Sequence, residues 1–258
     1  MPPPACSSSI DVPTEPEIGE QPIVEEACPR CGKPPALCVC QGLEPVANKV
    51  ALLILQHPQE QDVALGTARL AVLSLTNAEF KIGLSWPSLA AALGREADPK
   101  RWAVVYLGST QPAEVAPERE VIALDRKGVL LPEQDKVFRG LEGVVLLDGS
   151  WSQAKALWWR NAWMLKSVRI ALNPKQPSHY GNLRKEPRRD GLSTIESAGL
   201  VLARLEGKPE IEATLLKTFD AMLDAYRKSR PKPDRRRHRG PGRGGRGHKV
   251  GDTRGPRD

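Results

Sequence analysis

Apolar runs of strand length alternate with amphipathic segments through the middle of the 258-residue chain. Runs without polar alternation, such as VALLILQ and VVLL, are typical of strands that are buried on both faces of a parallel sheet. They predict strands at residues 50–56, 102–107, 121–124, 144–147 and 168–172. Apolar residues at helical spacing predict helices at residues 62–75, 151–165, 193–206 and 209–228. Strands separated by helices indicate the α/β class, with a mostly parallel sheet and covering helices.

The two ends of the chain differ in composition from this middle part. Residues 1–27 contain six acidic side chains, six prolines and no Lys or Arg, whereas residues 229–258 contain eleven Lys or Arg, three Asp and seven Gly. We expect both ends to be disordered, because neither buries enough apolar surface to offset the entropy of ordering. The predicted order is an acidic leader (1–27), a cysteine-rich knuckle (28–45), an α/β domain (46–228) and an Arg/Gly-rich basic tail (229–258).

Charge and composition exclude several classes of protein. No apolar run approaches the ~18 residues that a membrane span requires, and the first residues show neither a basic start nor an apolar stretch typical of a signal peptide. Five cysteines are too few for a disulfide scaffold in a chain of this length. We therefore expect a cytoplasmic protein without a membrane partner. The formal net charge of +7 is the sum of −6 on the leader, +5 on residues 28–228 and +8 on the tail. The positive charge of the last two parts favours an anionic partner such as RNA.

Four cysteines form a C-x2-C-x6-C-x-C cluster, at positions 28, 31, 38 and 40. Thiolates at this spacing predict a tetrahedral zinc site in which Cys28, Cys31, Cys38 and Cys40 are the ligands. Two local disulfides, free thiols and an iron–sulfur cluster are the alternatives, and a reducing compartment disfavours the disulfides. Four protein ligands leave no open coordination position, so the site is expected to be structural.

The segment VVLLDGSWSQAKALWWRN (144–161) places Asp148 directly after a buried strand and before a helix. Ligands of open α/β sheets bind beyond the carboxyl ends of strands, where an acidic group serves as a base or a hydrogen-bond acceptor. The alternative is that the D-G-S sequence only caps the helix. Glu196 follows Ser193 in an S-x-x-E pattern, which predicts a capping box. His57, followed by Pro58, is expected to fix a loop rather than to take part in chemistry.

Four segments together resemble the DTW-domain family, the tRNA-uridine aminocarboxypropyltransferases. DGSWSQAKALW (148–158) resembles the D-x-T-W signature, and CPRCGKPPALCVC (28–40) resembles the zinc knuckle. LQHPQEQDVALGTARLA (55–71) and YGNLRKEPRRDGLSTIESAG (180–199) resemble the H-P-x-E…T-x-R-L and Y-x-L-R…L-S-T-x-E motifs. The four segments follow one another along the chain in the same order as in the family. Three positions depart from its usual residues without removing an ionisable group: Gly66, Ser150 and Ser197 stand where Asn, Thr and Ala are common.

The resemblance implies an activity and a fold. Members transfer the 3-amino-3-carboxypropyl group of S-adenosylmethionine to N3 of a tRNA uridine, giving acp3U and methylthioadenosine, and their fold is SPOUT-like with a knotted carboxyl-terminal part. Residues 46–228 then form the catalytic domain, with Asp148 as the expected base. The residues expected to contact S-adenosylmethionine are Thr67, Leu107, Leu147, Gly149, Ser150, Trp151, Ser193 and Thr194.

Basic side chains are dense around the central motif, and no acidic residue lies between Asp148 and Glu186. Lys and Arg in such a cluster are suited to RNA phosphates, although a solvated charged face has the same composition. Arg184, Arg188 and Arg189 are the residues that we expect to face RNA. Two other functions fit the sequence less well: the same transfer onto ribosomal RNA, and a non-catalytic zinc-containing module that binds RNA.

Overall fold

A six-stranded sheet organises the chain. The computed structural model describes residues 26–105, 112–183 and 191–229. Most of the predicted leader, most of the predicted tail, Leu107 and the three arginines Arg184, Arg188 and Arg189 lie outside these residues. The strands are β1 (Ala51–Gln56), β2 (Ala78–Ile82), β3 (Trp102–Val105), β4 (Val121–Leu124), β5 (Gly143–Asp148) and β6 (Val168–Leu172).

The strand order is β2-β1-β5-β3-β6-β4. Four of the five strand pairs are parallel, and only β4 runs antiparallel to its neighbour, β6. The prediction of an α/β fold with a mostly parallel sheet is confirmed. All five predicted strands are present, and β2 was missed because its sequence, AEFKI, contains two charged residues at a partly exposed edge.

Seven helices are seen among the described residues. They are α1 (Ala68–Leu73), α2 (Leu89–Leu93), α3 (Pro112–Val115), α4 (Gln134–Arg139), α5 (Trp151–Arg160), α6 (Thr194–Glu206) and α7 (Pro209–Ser229). Short 3-10 turns occur at Pro35–Leu37, Cys40–Gly42, Pro58–Glu60, Pro99–Arg101 and Ala162–Lys166. The sequence pattern missed α2, α3 and α4, which have only four to six residues each and therefore little periodicity to detect.

Helices cover both faces of the sheet. Leu52 and Ile54 of β1 pack on one face with residues of α1, α6 and α7, whereas Leu53 and Leu55 pack on the other face with α2 and the 162–166 turn. This division follows from the two-residue period of a strand, because successive side chains point to opposite faces. The two buried layers fix the register of β1 against β5, which positions the ends of both strands.

The predicted helix at residues 62–75 is wrong in its first half. Helix α1 begins only at Ala68, after a turn in which the Gly66 amide donates to the carbonyl of Val63. The carbonyls of Ala64 and Leu65 accept hydrogen bonds from the side chains of Lys33 and Tyr180 instead of from helical amides. These tertiary bonds replace the first turn of the predicted helix.

The predicted helix at residues 151–165 is interrupted at Asn161. Helix α5 ends at Arg160, and a 3-10 turn continues the chain. The buried Asn161 side chain donates to the carbonyls of Leu84 and Leu157 and accepts from the amide of Trp86. An asparagine that satisfies three backbone groups in this way favours a break over continued helix.

Candidate active site

Asp148 lies at the carboxyl end of β5, beside the end of β1. The parallel register pairs Asp148 with Gln56, and the Gln56 side-chain amide donates to Oδ2 of Asp148 at 2.8 Å. The other carboxylate oxygen, Oδ1, accepts from the hydroxyl of Thr194 at the start of α6. Asp148 is only 6% exposed. Its carboxylate is therefore held by one donor on each oxygen, which leaves further lone pairs for a ligand.

The start of α6 is fixed by the predicted capping box. The Ser193 hydroxyl accepts from the amide of Glu196, and the Glu196 carboxylate accepts from the amide of Ser193. The same buried carboxylate also accepts from the Ser178 hydroxyl and the His179 amide, each at 2.7 Å. Glu196 thus anchors the loop before α6 as well as the helix itself, and both anchors position Thr194 beside Asp148.

Hydrogen bonds also connect the loop before α1 to the start of α6 and to Tyr180. The buried hydroxyl of Thr67 accepts from the amide of Ile195 at 3.2 Å, and the Tyr180 hydroxyl donates to the carbonyl of Leu65 at 2.6 Å. Residues from three separate segments, Thr67, Asp148 and Thr194, are consequently held together at one edge of the sheet. The sequence predicted all three as site residues.

The turn between β5 and α5 is built from Gly149 and Ser150. Gly149 has φ of 154°, and a Cβ there would lie 2.9 Å from Cβ of Gln153, so the turn requires glycine. Ser150 caps α5 in a capping box with Gln153. The helix-cap alternative for the D-G-S sequence is therefore correct for Ser150, while Asp148 is held by Gln56 and Thr194 and does not cap the helix.

The other residues predicted near the site have simpler surroundings. The amide of His57 donates to the carbonyl of Asp148, and its Nδ1 accepts from the amide of Gln59, so His57 caps the 58–60 turn. Leu147 packs with Trp163 on the face of the sheet that is covered by α2 and the 162–166 turn. Trp151 is half-buried in the first turn of α5.

The four predicted metal ligands form one cluster. The sulfur atoms of Cys28, Cys31, Cys38 and Cys40 all lie within 4.8 Å of one another, and all four are free thiols. The Sγ atoms of Cys28 and Cys40, and those of Cys31 and Cys38, are 3.9 Å apart. Tetrahedral Zn²⁺ with bonds of about 2.3 Å places its sulfur ligands about 3.8 Å apart. The donor set and its spacing therefore fit zinc.

The cysteines differ in their local electrostatics. Backbone amide hydrogen bonds, first that of Cys31 and then that of Arg30, lower the pKa of Cys28 to about 6. Burial raises the pKa of Cys31 and Cys40, which favours neutral thiols until a cation compensates the thiolate charge. Cys31 and Cys40 pack into the main core beneath α1 and α7, so the knuckle is joined to the body of the domain.

Sequence reasoning missed Gln56 and Lys33. Gln56 is the last residue of a predicted strand, and its pairing with Asp148 depends on which strands become neighbours. Lys33 lies in the knuckle, where it is 5% exposed and donates to the carbonyl of Ala64 at 2.8 Å. Burial lowers the pKa of Lys33, while the charges of Cys31 and Asp148 act in the opposite direction. No spacing rule in the sequence marks either residue.

The exposed side of α5 begins at this site and carries aromatic and basic residues. Lys155 and Trp159 are one turn apart on the helix, and Trp159 is 79% exposed. Arg160 and Lys166 follow on the surface. Among the described residues from 149 to 183, five are Lys or Arg and none is acidic. We call the surface formed by Lys155, Trp159, Arg160 and Lys166 the Trp159 surface. It combines positive charge with an exposed aromatic ring.

The fold and site therefore define an α/β domain that carries a four-cysteine knuckle and a buried acidic residue at a strand end. Comparison with known proteins assigns it to a family: the profile of the DTW domain matches residues 25–227, and the chain belongs to that family. No solved structure matches the chain significantly, and no described helix is long and apolar enough to cross a membrane.

Three curated relatives match the same share of the chain. They are named tRNA-uridine aminocarboxypropyltransferase 2. The Macaca fascicularis protein is 28% identical over 76% of this chain, the Drosophila melanogaster protein 30% over 76%, and the Mus musculus protein 29% over 76%. The aligned part covers 61% of the length of the macaque and mouse proteins and 72% of that of the fly protein.

Proposed function

We propose that this protein transfers the 3-amino-3-carboxypropyl group of S-adenosylmethionine to N3 of a uridine in tRNA, forming acp3U and releasing methylthioadenosine. The observation that carries the proposal is the meeting of Thr67, Asp148 and Thr194 at one sheet edge. Each comes from a different segment of the domain shared with relatives that are named for this activity.

Asp148 is the proposed base. The N3–H bond of the uridine breaks as its proton moves to the carboxylate, and the nitrogen lone pair forms a bond to the γ-carbon of the donor's methionyl part. The C–S bond breaks with its electron pair on sulfur, which neutralises the sulfonium. A positioned general base contributes ~10²–10⁴-fold. The hydrogen bonds from Gln56 and Thr194 orient the carboxylate for this transfer.

The donor is proposed to bind on the Thr194 side of Asp148. The hydroxyls of Thr67 and Thr194 lie there, and hydroxyl groups suit the amino and carboxylate groups of S-adenosylmethionine. The indole of Trp151 is proposed to face the sulfonium as a cation–π contact. The residues proposed to contact S-adenosylmethionine are those predicted from the sequence: Thr67, Leu107, Leu147, Gly149, Ser150, Trp151, Ser193 and Thr194. Leu147 fits this set least well, because its side chain packs on the opposite face.

The metal is proposed to be structural zinc. All four positions of a tetrahedral ion are filled by Cys28, Cys31, Cys38 and Cys40, and such closed sites stabilise the fold without taking part in chemistry. The loop after β6 is hydrogen-bonded through His179 to Glu196 of α6 and through Tyr180 to Leu65 before α1. For the carboxyl-terminal part we propose the SPOUT-like, knotted arrangement that the resemblance to the family implies.

The tRNA is proposed to contact the Trp159 surface. Lys and Arg neutralise phosphates without reading sequence, and an exposed indole stacks on an unpaired base. Arg184, Arg188, Arg189 and the basic tail remain proposed additional contacts.

The experiment that tests the function is incubation of the protein with carboxyl-labelled S-adenosylmethionine and unmodified tRNA, followed by nucleoside mass spectrometry.

Label recovered as acp3U in tRNA is the expected result. Label in ribosomal RNA fragments alone would assign the same chemistry to a different substrate. Tight RNA binding without any transfer would identify a non-catalytic module and overturn the proposal.

A further inference from the structure

A cavity of about 310 Å³ lies between the knuckle and the end of β1. Its walls are formed by knuckle residues that include Lys33, by Gln56, by the loop from Glu60 to Gly66, and by Arg69 at the start of α1. Ligand pockets begin at about 300 Å³, so this cavity suits a group as large as one nucleobase.

Two buried polar groups in the wall of this cavity lack expected hydrogen-bond partners. Within the described part of the chain, the only hydrogen bond of the Lys33 ammonium is that to Ala64, although the group has three donors. Oε1 of Gln56 is buried and has no partner among those same residues, while Nε2 of the same amide donates to Asp148. Buried polar groups are nearly always satisfied, so these two groups suit a ligand that offers an oxygen acceptor and an N–H donor.

The cavity adjoins the proposed donor site, because Gly66 and Ala68 in its wall flank Thr67. None of the residues assigned to the donor contributes to its walls, and Gln56 connects it to the carboxylate of Asp148. Its ionisable lining consists of two cations, Lys33 and Arg69, and two carboxylates, Glu60 and Asp62, apart from the thiol of Cys31. This balance favours a neutral polar ring over a phosphate.

We propose that this cavity receives the uracil ring of the substrate, with the ammonium of Lys33 hydrogen-bonded to a carbonyl oxygen beside N3. The inference rests on the proposed function. The Watson–Crick edge of uracil carries an N–H donor between two carbonyl acceptors, and enzymes that modify bases read this edge in a closed pocket after the base leaves its stack. One carbonyl acceptor matches Lys33, and the N–H matches the carboxylate of Asp148, which Gln56 links to the cavity.

Lys33 then has a direct part in the reaction. As the N3 proton moves to Asp148, negative charge spreads from the nitrogen to the two carbonyl oxygens of the ring. A fixed ammonium at one of these oxygens stabilises that charge, and removing one such donor typically costs about 10²–10³-fold in rate. No proton is transferred to or from Lys33. The knuckle thus supplies a charged side chain to the reaction as well as a metal site.

The test compares Lys33→Met with wild type on two tRNA transcripts, one with uridine and one with 5-fluorouridine. Fluorine makes N3–H more acidic, so that the ring needs less stabilisation as it loses the proton. We expect the variant to lose about 10²-fold on the ordinary transcript and clearly less on the fluorinated one. Its affinity for S-adenosylmethionine is expected to stay within about threefold of wild type. Lys100→Met, which removes an exposed lysine, is the matched control and should behave as wild type on both transcripts.

The ratio of the two rates within one preparation does not depend on how much of the variant is folded, and Lys33→Gln provides a second neutral variant if Lys33→Met gives no protein. An equal loss on both transcripts would overturn the inference, as would a loss of donor affinity, which would assign Lys33 to the aminocarboxypropyl arm instead. Wild-type transfer to the ordinary transcript tests the proposed function separately. If wild type transfers nothing, the function fails first and the inference fails with it.

Discussion

Thr194 and Asp148 are 46 residues apart in sequence, and the hydroxyl of Thr194 donates a hydrogen bond to Oδ1 of Asp148. This contact joins the first residue of α6 to the last residue of β5. Gln56 holds the other carboxylate oxygen from β1. The acidic side chain is thus oriented by two elements that the chain brings together only in the folded state.

Removal of the Thr194 hydroxyl should impair the chemistry more than the fold. Thr194→Val keeps the β-branched shape and deletes the donor, so one carboxylate oxygen loses a partner worth about 1.4 kcal/mol, or tenfold in rate. We expect kcat for acp3U formation to fall about tenfold while Tm changes little. Thr76→Val, at an exposed position, is the control, and full activity of Thr194→Val would contradict an orienting role.

Asp148 itself should be indispensable for transfer. Asp148→Asn keeps the size of the side chain and removes its capacity to take a proton, so kcat should fall by ~10²–10⁴-fold. Binding of S-adenosylmethionine, followed by calorimetry, should change by less than about threefold, because the base contacts the uridine rather than the donor. Asp135→Asn, on the exposed face of α4, controls for the loss of a carboxylate. Wild-type turnover in Asp148→Asn would exclude Asp148 as the base.

Different parts of this molecule were predictable from sequence to different degrees. The strands were found because fully buried runs such as LLIL leave few alternatives. Thr67, Asp148 and Thr194, which the structure brings together, were predicted from family motifs, and Asp148 also from its place after a buried strand. Gln56 and Lys33 were not predicted, since their positions arise from strand register and from the docking of the knuckle. Neither relationship is encoded in local spacing. Tertiary hydrogen bonds, rather than the helical spacing of apolar residues, also determine where α1 begins and where α5 ends.

Asn161 should be a major determinant of stability. Its side chain is completely buried and satisfies the backbone of Leu84, Trp86 and Leu157. Asn161→Leu would leave those groups without partners, at a cost of about 3 kcal/mol in the free energy of unfolding. Urea denaturation measures this change. Ser85→Ala removes only an exposed hydrogen bond to Arg160 of the same region and should cost less than about 0.5 kcal/mol. Equal stability of the two variants would contradict the role given to Asn161.

The knuckle should bind one zinc ion per chain and depend on it. Cys40→Ser removes one of four ligands and a buried thiol of the core, so we expect loss of the metal and a fall in Tm on the order of 10 °C. Elemental mass spectrometry and thermal unfolding provide the two measurements. Cys6→Ser, outside the cluster, is the matched control. Iron in place of zinc, or an unchanged Tm after chelation, would contradict the assignment.

The Trp159 surface offers a prediction in which two neighbouring residues have separable effects on tRNA binding. Trp159→Ala removes an exposed ring that we propose to stack on a base, so affinity should fall by about 1–3 kcal/mol at every salt concentration. Lys155→Gln, one turn away on the same helix, removes a proposed phosphate contact, so affinity should fall mainly at low salt. The slope of log K against log salt should decrease by about 1. Filter binding between about 50 and 200 mM salt separates the two. If neither variant changes affinity, tRNA does not use this surface, and the basic residues outside it must carry the interaction.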